Sequence, residues 1–324
     1  MLDDRDTIVT NLGECRVDSP LSVRRFIGED ERVIVDVEYG RVEDSFKERG
    51  RASSFENAGP RRKIFFDPAA SKAAIVTCGG LCPGLNNVIR ALVMELYYQY
   101  GVKTILGVRY GYEGLIPSYG HGFLDLHPDT VDEIHAKGGT MLGSSRGNQN
   151  VPAMVDTLEE NGVSMLFTIG GDGTLRGARD LCDEIARRKL KIAVVGVPKT
   201  IDNDISYVDR TFGFETAVAE ATKVLDSAHE EARGARNGIG LVRVMGRDSG
   251  FIAAYTALAS NVVNYVLLPE VPFRLHGDGG LLDHLKRRLE AKRHAVILVA
   301  EGAGQEYFGG DRTRDASGNV KHGD

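Results

Sequence analysis

The stretch from Leu166 to Asp204 constrains this chain most, because it spells out one βαβ unit with chemistry at both strand ends. Residues 164–168 form a short run without polar alternation, as expected of a strand covered on both faces. Gly170, Gly171 and Gly173 then surround a single carboxylate, Asp172, and Thr174 stands where a helix opens. A glycine turn that opens a helix lets backbone N–H groups approach phosphate oxygens, and the helix N-terminus favours negative charge. Asp172 is placed there to hold a Mg²⁺ that bridges such oxygens. The spacing predicts a helix from Leu175 to about Lys189 with Ala178, Leu181, Cys182 and Ile185 inward. A buried strand over 192–197 follows and ends in Pro198-Lys199-Thr200-Ile201-Asp202-Asn203-Asp204. Ligands of open parallel sheets bind at that end of the strands. Two neighbouring turns thus aim a metal-binding carboxylate and a pair of carboxylates into one crevice, an arrangement suited to phosphoryl transfer.

At 324 residues the chain is long enough for two domains. A net charge of −6 gives no reason to expect nucleic acid as a partner. No apolar run approaches the roughly 20 residues of a membrane span, and the first residues carry no signal-peptide core. The four cysteines, Cys15, Cys78, Cys82 and Cys182, form neither a disulfide framework nor a zinc pattern. Cys78 and Cys82 bracket a glycine turn and read as small filler residues. A cytoplasmic protein with no membrane contact is the expectation.

The expected organisation is an extension over residues 1–70, a nucleotide-binding α/β domain over 71–213 and a sugar-phosphate-binding α/β domain over 214–324, the last incomplete. In the extension, 32–39 reads as one strand and 41–62 as an exposed connection, packed on the main body or on a neighbouring subunit. Strands are expected over 72–77, 104–108, 239–245, 265–268 and 295–300, and helices from residue 86 to about Tyr100, over 215–233 with Ala217, Ala221, Val224, Leu225 and Ala228 inward, through Ala259, and over 281–292. This alternation implies right-handed crossovers and two parallel sheets, each an αβα sandwich of the Rossmann-like kind. A second glycine turn, Gly79 to Asn86, and a third, Gly138 to Arg146, offer further phosphate cradles and an arginine. Residues 309–324 read as loop.

Gly-Gly-Asp-Gly-Thr at 170–174 is shared by several nucleotide-dependent kinases. Joined to residues 198–204, to Met245-Gly246-Arg247 and to Gly79-Gly80-Leu81-Cys82-Pro83-Gly84-Leu85-Asn86, it resembles the 6-phosphofructokinase family. Phe65-Phe66-Asp67-Pro68 and Arg109-Tyr110-Gly111-Tyr112 resemble its plant and trypanosome ATP-dependent branch. The resemblance implies a phosphotransferase that moves a phosphoryl group from ATP, with Mg²⁺, to the 1-hydroxyl of fructose 6-phosphate. It further implies a glycolytic, allosteric homo-oligomer, dimer or tetramer. Position by position it implies Asp202 as general base, Thr200 as a contact to phosphoryl or sugar phosphate, and Arg247 as the transition-state cation; the residues themselves agree, since Asp204, two residues on, is a like charge that keeps the basicity of Asp202 up. Met245, Gly246 and Glu301 then line the sugar site. Gly80, Arg146, Gly173 and Thr174 contact nucleotide phosphates, Tyr112 faces the adenosine end, and Asp172 is the Mg²⁺ residue.

Gly173 and Lys199 bear on the donor. Pyrophosphate-dependent members typically carry Asp at the position of Gly173, so glycine argues for ATP. Lys199 is usual in pyrophosphate enzymes, yet the plant and trypanosome branch combines it with the glycine. The pyrophosphate-dependent enzyme is therefore the alternative. Family members continue well past the equivalent of Glu301, where only 23 residues remain here. A fragment of a longer protein is the expectation, with a non-catalytic regulatory subunit as a further alternative.

Overall fold

The computed structural model describes residues 7–307. The first segment contributes strand β1 (Val17–Asp18), β2 (Arg32–Ile34), helix α1 (Tyr39–Arg49), β3 (Ser54–Glu56) and β4 (Lys63–Ile64). β1 pairs with β4 and β2 with β3, both antiparallel. The strand expected over 32–39 is thus only three residues long, and 41–62 carries most of α1 and all of β3 rather than an exposed connection. Val37 and Tyr39 are 87% and 79% exposed, so nothing covers them to prolong a strand. A Glu43–Lys47 pair at 2.9 Å, one helical turn apart, supports helix instead. The segment lies on the main body: Lys191 Nζ donates to the Leu12 carbonyl at 2.7 Å and stands 5.7 Å above the Phe65 ring.

The next unit runs β5 (Lys72–Thr77), α2 (Leu85–Met94), β6 (Thr104–Val108), β7 (Phe123–Leu126), α3 (Pro128–Val131), α4 (Val151–Glu160), β8 (Met165–Gly170), α5 (Asp172–Arg187) and β9 (Ala193–Pro198). Its sheet has the order β7-β6-β5-β8-β9, parallel except for the edge strand β7. Residues of β5 alternate between two cores. Ala74 and Val76 face Leu158, Leu166 and Leu181 under α4 and α5, while Ala73 and Ile75 face Leu85, Ile89 and Ile105 under α2. The helix expected to reach Tyr100 changes character after Met94, where residues 95–100 form a π turn. β7 and α4 had no expectation. α4 is set by Asn150, whose Oδ1 accepts from the Ala153 N–H at 3.0 Å, with proline in its first turn.

Two expectations about this unit need correction. α5 begins at Asp172, three residues before Leu175, and Cys182 lies on its exposed side. β9 is an edge strand rather than a buried one, and Val195 is 46% exposed.

The last unit runs α6 (Phe214–Gly234), β10 (Gly238–Val244), α7 (Phe251–Ala259), β11 (Tyr265–Leu267), α8 (Leu281–Lys292) and β12 (His294–Ala300). The three strands are parallel in the order β10-β12-β11. α6 and α7 cover one face through Leu225 and Ala253, and α8 covers the other through Leu285. Val224, expected inward, is 53% exposed, because α6 buries the narrower stripe Phe214, Ala221, Leu225 and Ala232. Among the described residues no helix is long and apolar enough to cross a membrane. The expected loop at 309–324 lies outside the described residues.

Register brings the strand ends level. Gly170 pairs with Pro198, Thr77 with Ile169 and Val244 with Ala300. The turns that carry Gly79, Asp172, Asp202, Arg247 and Glu301 therefore emerge from the carboxyl ends of their strands.

Candidate active site

Backbone bonds join the turns of the first sheet side by side. The Cys78 N–H donates to the Ile169 carbonyl at 2.9 Å, Gly79 N–H to Ser145 at 3.0 Å and Lys199 N–H to Gly170 at 2.9 Å. Together these turns wall a cleft of about 290 Å³. Of the residues singled out by sequence, Gly80, Tyr112, Arg146, Asp172, Gly173, Thr174, Lys199, Thr200, Asp202, Asp204 and Met245 line it. Gly246, Arg247 and Glu301 are not among its walls. The cleft also takes in Ser145, from the third glycine turn, and Asn148, Arg176 and Ile205, which no motif had marked.

The phosphate-cradling side is built by small residues and clamps. Gly79 has φ +82°, a left-handed conformation that glycine adopts without a Cβ penalty. The loop that carries Arg146 is sewn to β5 and α2. Thr77 Oγ1 donates to the Gly143 carbonyl at 2.8 Å, and Ser144 Oγ donates to Gly79 at 2.6 Å. Asn86, 3% exposed, accepts from the Met141 N–H at 2.8 Å and donates to the Lys137 carbonyl at 2.9 Å. Asp172 is the first residue of α5 and is exposed; around Gly173 there is open space where a side chain would stand.

Tyr112 is buried beneath this helix rather than displayed. Its hydroxyl donates to the Thr174 carbonyl at 2.8 Å, and burial pushes its phenol well above the ordinary range. Cys78 and Cys82 are buried as fillers, and burial pushes their thiols up to about 12 and about 11. Lys199 is only 7% exposed, and no hydrogen bond or ion pair joins its ammonium to another described residue. Burial draws its pKa below the usual lysine value. Such a buried cation beside three phosphate-type turns is suited to an anion.

Asp202 stands on the opposite side. Its Oδ1 is buried and has no hydrogen-bond partner. Burial first, then the charges of Asp204 and Glu301, push its carboxyl up to about 6, against the pull of Arg247. Thr200 anchors the turn, donating from Oγ1 to Asp204 at 2.6 Å and accepting from the Asp202 N–H at 3.1 Å. Asn203, at φ +56°, accepts from the Thr211 N–H at 2.7 Å. The second sheet closes in from the far side, with Ser249 Oγ donating to the Asp202 carbonyl at 3.3 Å. Its own two turns touch where the Gly302 N–H donates to the Gly246 carbonyl at 3.0 Å, and a Cβ on Gly302 would run into the Arg247 backbone. Glu301 and Arg247 thereby flank Asp202 through charge, while the cleft wall is made by Met245.

Among the described residues no cluster of three metal-ligating side chains occurs. Asp172 alone offers a carboxylate among the phosphate turns. That donor set fits Mg²⁺, which takes one or two carboxylates and completes its shell with phosphate oxygens and water.

Residues 72–320 match the family model for phosphofructokinase. An ATP-dependent 6-phosphofructokinase of Borreliella burgdorferi is 50% identical over 333 residues, covering 98% of this chain and 74% of that one. ATP-dependent 6-phosphofructokinase 5, chloroplastic, of Arabidopsis thaliana is 54% identical over 267 residues, covering 82% of this chain and 49% of that one. Among solved structures, the phosphofructokinase of Saccharomyces cerevisiae superposes with a TM-score of 0.60 at 28% identity, over 72% of this chain and 34% of that one. Two largely parallel sheets, the glycine turns of the first gathered on one cleft, and this extent of likeness lead to one conclusion: the chain belongs to the phosphofructokinase family.

Proposed function

We propose that the chain is an ATP-dependent 6-phosphofructokinase, a cytoplasmic, homo-oligomeric enzyme of glycolysis that phosphorylates the 1-hydroxyl of fructose 6-phosphate. The observation that carries this reading is Asp202. A half-buried carboxylate with an unpartnered Oδ1 and a pKa raised to about 6 is a base poised to accept a proton near neutral pH. It stands in the same cleft as three glycine turns suited to phosphates. In this reading Asp202 takes the hydroxyl proton and Asp204, held by Thr200, keeps its affinity for that proton high. Arg247 offsets the charge that develops on the transferring group. Met245, Gly246 and Glu301 receive the sugar, while Gly80, Arg146, Gly173 and Thr174 receive the donor's phosphates. Asp172 would hold Mg²⁺, which neutralises phosphate charge when bound. Tyr112 supports the phosphate turn from below through Thr174. Residues 71–213 are assigned to the nucleotide domain and 214–324 to the sugar-phosphate domain.

The relatives at 50% and 54% identity are ATP-dependent enzymes, which favours ATP, and the open space at Gly173 leaves room for an α-phosphate. One observation favours pyrophosphate as a second reading: the buried, unpaired ammonium of Lys199 suits a compact diphosphate. Turnover measured with ATP and with pyrophosphate separates them. Asp202→Ser is expected to abolish turnover while Mg·ATP still binds in calorimetry; loss of binding would refute the role given to Asp202.

A further inference from the structure

We infer that Arg176 is the residue that tells a nucleotide from inorganic pyrophosphate, by pairing with the α-phosphate that only the nucleotide has. This rests on the donor reading above. Arg176 lines the cleft yet belongs to none of the motifs. It follows Gly173 by three residues and Asp172 by four on α5, so the three share one helix face. The free space at Gly173 and the guanidinium of Arg176 are therefore neighbours along the same wall.

The side chain is exposed and uncommitted. No ion pair or hydrogen bond joins it to another described residue, although Asp172 and Asp180 lie one turn to either side. Arg187 and Arg188, at the far end of the helix, behave differently: both bind Glu184, at 2.7 and 2.6 Å. The helix dipole favours cations at that end and opposes them near the N-terminus, where Arg176 sits. Helix stability thus accounts for Arg187 and Arg188 but not for Arg176.

Charge in the cleft falls into two groups. Arg146 acts on Lys199, and these two cations stand against Gly80 and Gly79, their side chains 3.6 and 3.9 Å from where a Cβ would be. Asp202 also acts on Lys199, so this group adjoins the base and fits the phosphates that ATP and pyrophosphate share. Arg176 lies on a different element, α5, one turn past the open position at Gly173. A planar guanidinium there can grip a phosphate through two parallel N–H donors. ATP reaches it; pyrophosphate, bound at the inner cations, does not.

The test compares wild type, Arg176→Ala and Arg176→Lys by calorimetry, with Mg·ATP and Mg-pyrophosphate as probes, alongside steady-state kinetics. Arg176→Ala should weaken ATP binding and raise its KM roughly ten- to hundredfold. Pyrophosphate affinity, kcat and the KM for fructose 6-phosphate should stay unchanged, and Arg176→Lys should fall in between. Equal losses for both probes would make Arg176 a general anion contact and overturn the inference, as would an unchanged ATP affinity. Unaltered thermal unfolding of the variants excludes a purely structural effect. A wild type that binds Mg·ATP without turning over overturns the kinase reading alone, and the ratio of the two affinities still decides Arg176. A wild type that does not bind Mg·ATP overturns both.

Discussion

Replacing Asp202 with asparagine should make the protein inactive and more stable at once. The carboxyl stands at about 6 in the folded chain against an ordinary 3.8. Because the folded value is raised, ionisation is harder in the folded state than in the unfolded one. The wild type therefore keeps full stability below the unfolded pKa and loses it as pH rises through about 6. Holding the ionised carboxylate in place costs about 3 kcal/mol by this difference. Burial, with the neighbouring charges of Asp204 and Glu301, is the cause, and Arg247 offsets only part of it. Asparagine keeps the shape and cannot ionise. Asp202→Asn should thus gain between about 1 and 3 kcal/mol at pH 7.5, and the gain should shrink to nothing by about pH 3, below the unfolded pKa. Urea unfolding followed by far-ultraviolet circular dichroism measures it, since the chain has no tryptophan. A variant no more stable than wild type at pH 7.5, or a difference that does not vary with pH, would refute the reasoning.

The same titration should appear in catalysis: log kcat/KM should fall with a slope of one below about pH 6, and an acid limb a full unit or more lower would remove Asp202 as the base. Gly173→Asp sets a carboxylate in open space beside the phosphate turn; the KM for ATP should rise roughly tenfold or more, with fructose 6-phosphate unaffected, as steady-state kinetics would show. Leu166→Ala empties a fully buried position of β8 under α5 and should cost about 2–5 kcal/mol in urea unfolding, with little change in the KM values of surviving folded protein.

Much of this architecture could be read from local pattern. The bounds of α8 and β5 follow directly from their residues, because α8 carries a full amphipathic period and β5 a run of small apolar residues between clear breaks. Exposure was less legible, since it depends on what lies alongside. Val195 has the same local surroundings as a central strand residue, and only the sheet order makes it an edge. Val37 and Tyr39 look like strand residues until the absence of anything above them is seen. Convergence of the glycine turns with Asp202 was legible from a general rule about strand ends. The clamps that hold these turns were not, because Asn86 meets Met141 across 55 residues and Ser144 meets Gly79 across 65. Tyr112 shows the limit well. Its place in a motif marked it, but only the fold reveals that its hydroxyl points to the Thr174 backbone.

The bonds from Cys78 to Ile169 and Lys199 to Gly170 continue the sheet's ladder beyond the strands into the turns, and the Gly79–Ser145 bond ties the third turn to them. One kinetic consequence follows. Amide hydrogens at these positions should exchange with solvent as a cooperative block, on the timescale of strand opening rather than of loop motion. The phosphate end is then a fixed anvil. Adjustment to substrates should then fall to the opposing Met245–Ser249 turn, which meets this side of the cleft through the Ser249–Asp202 bond.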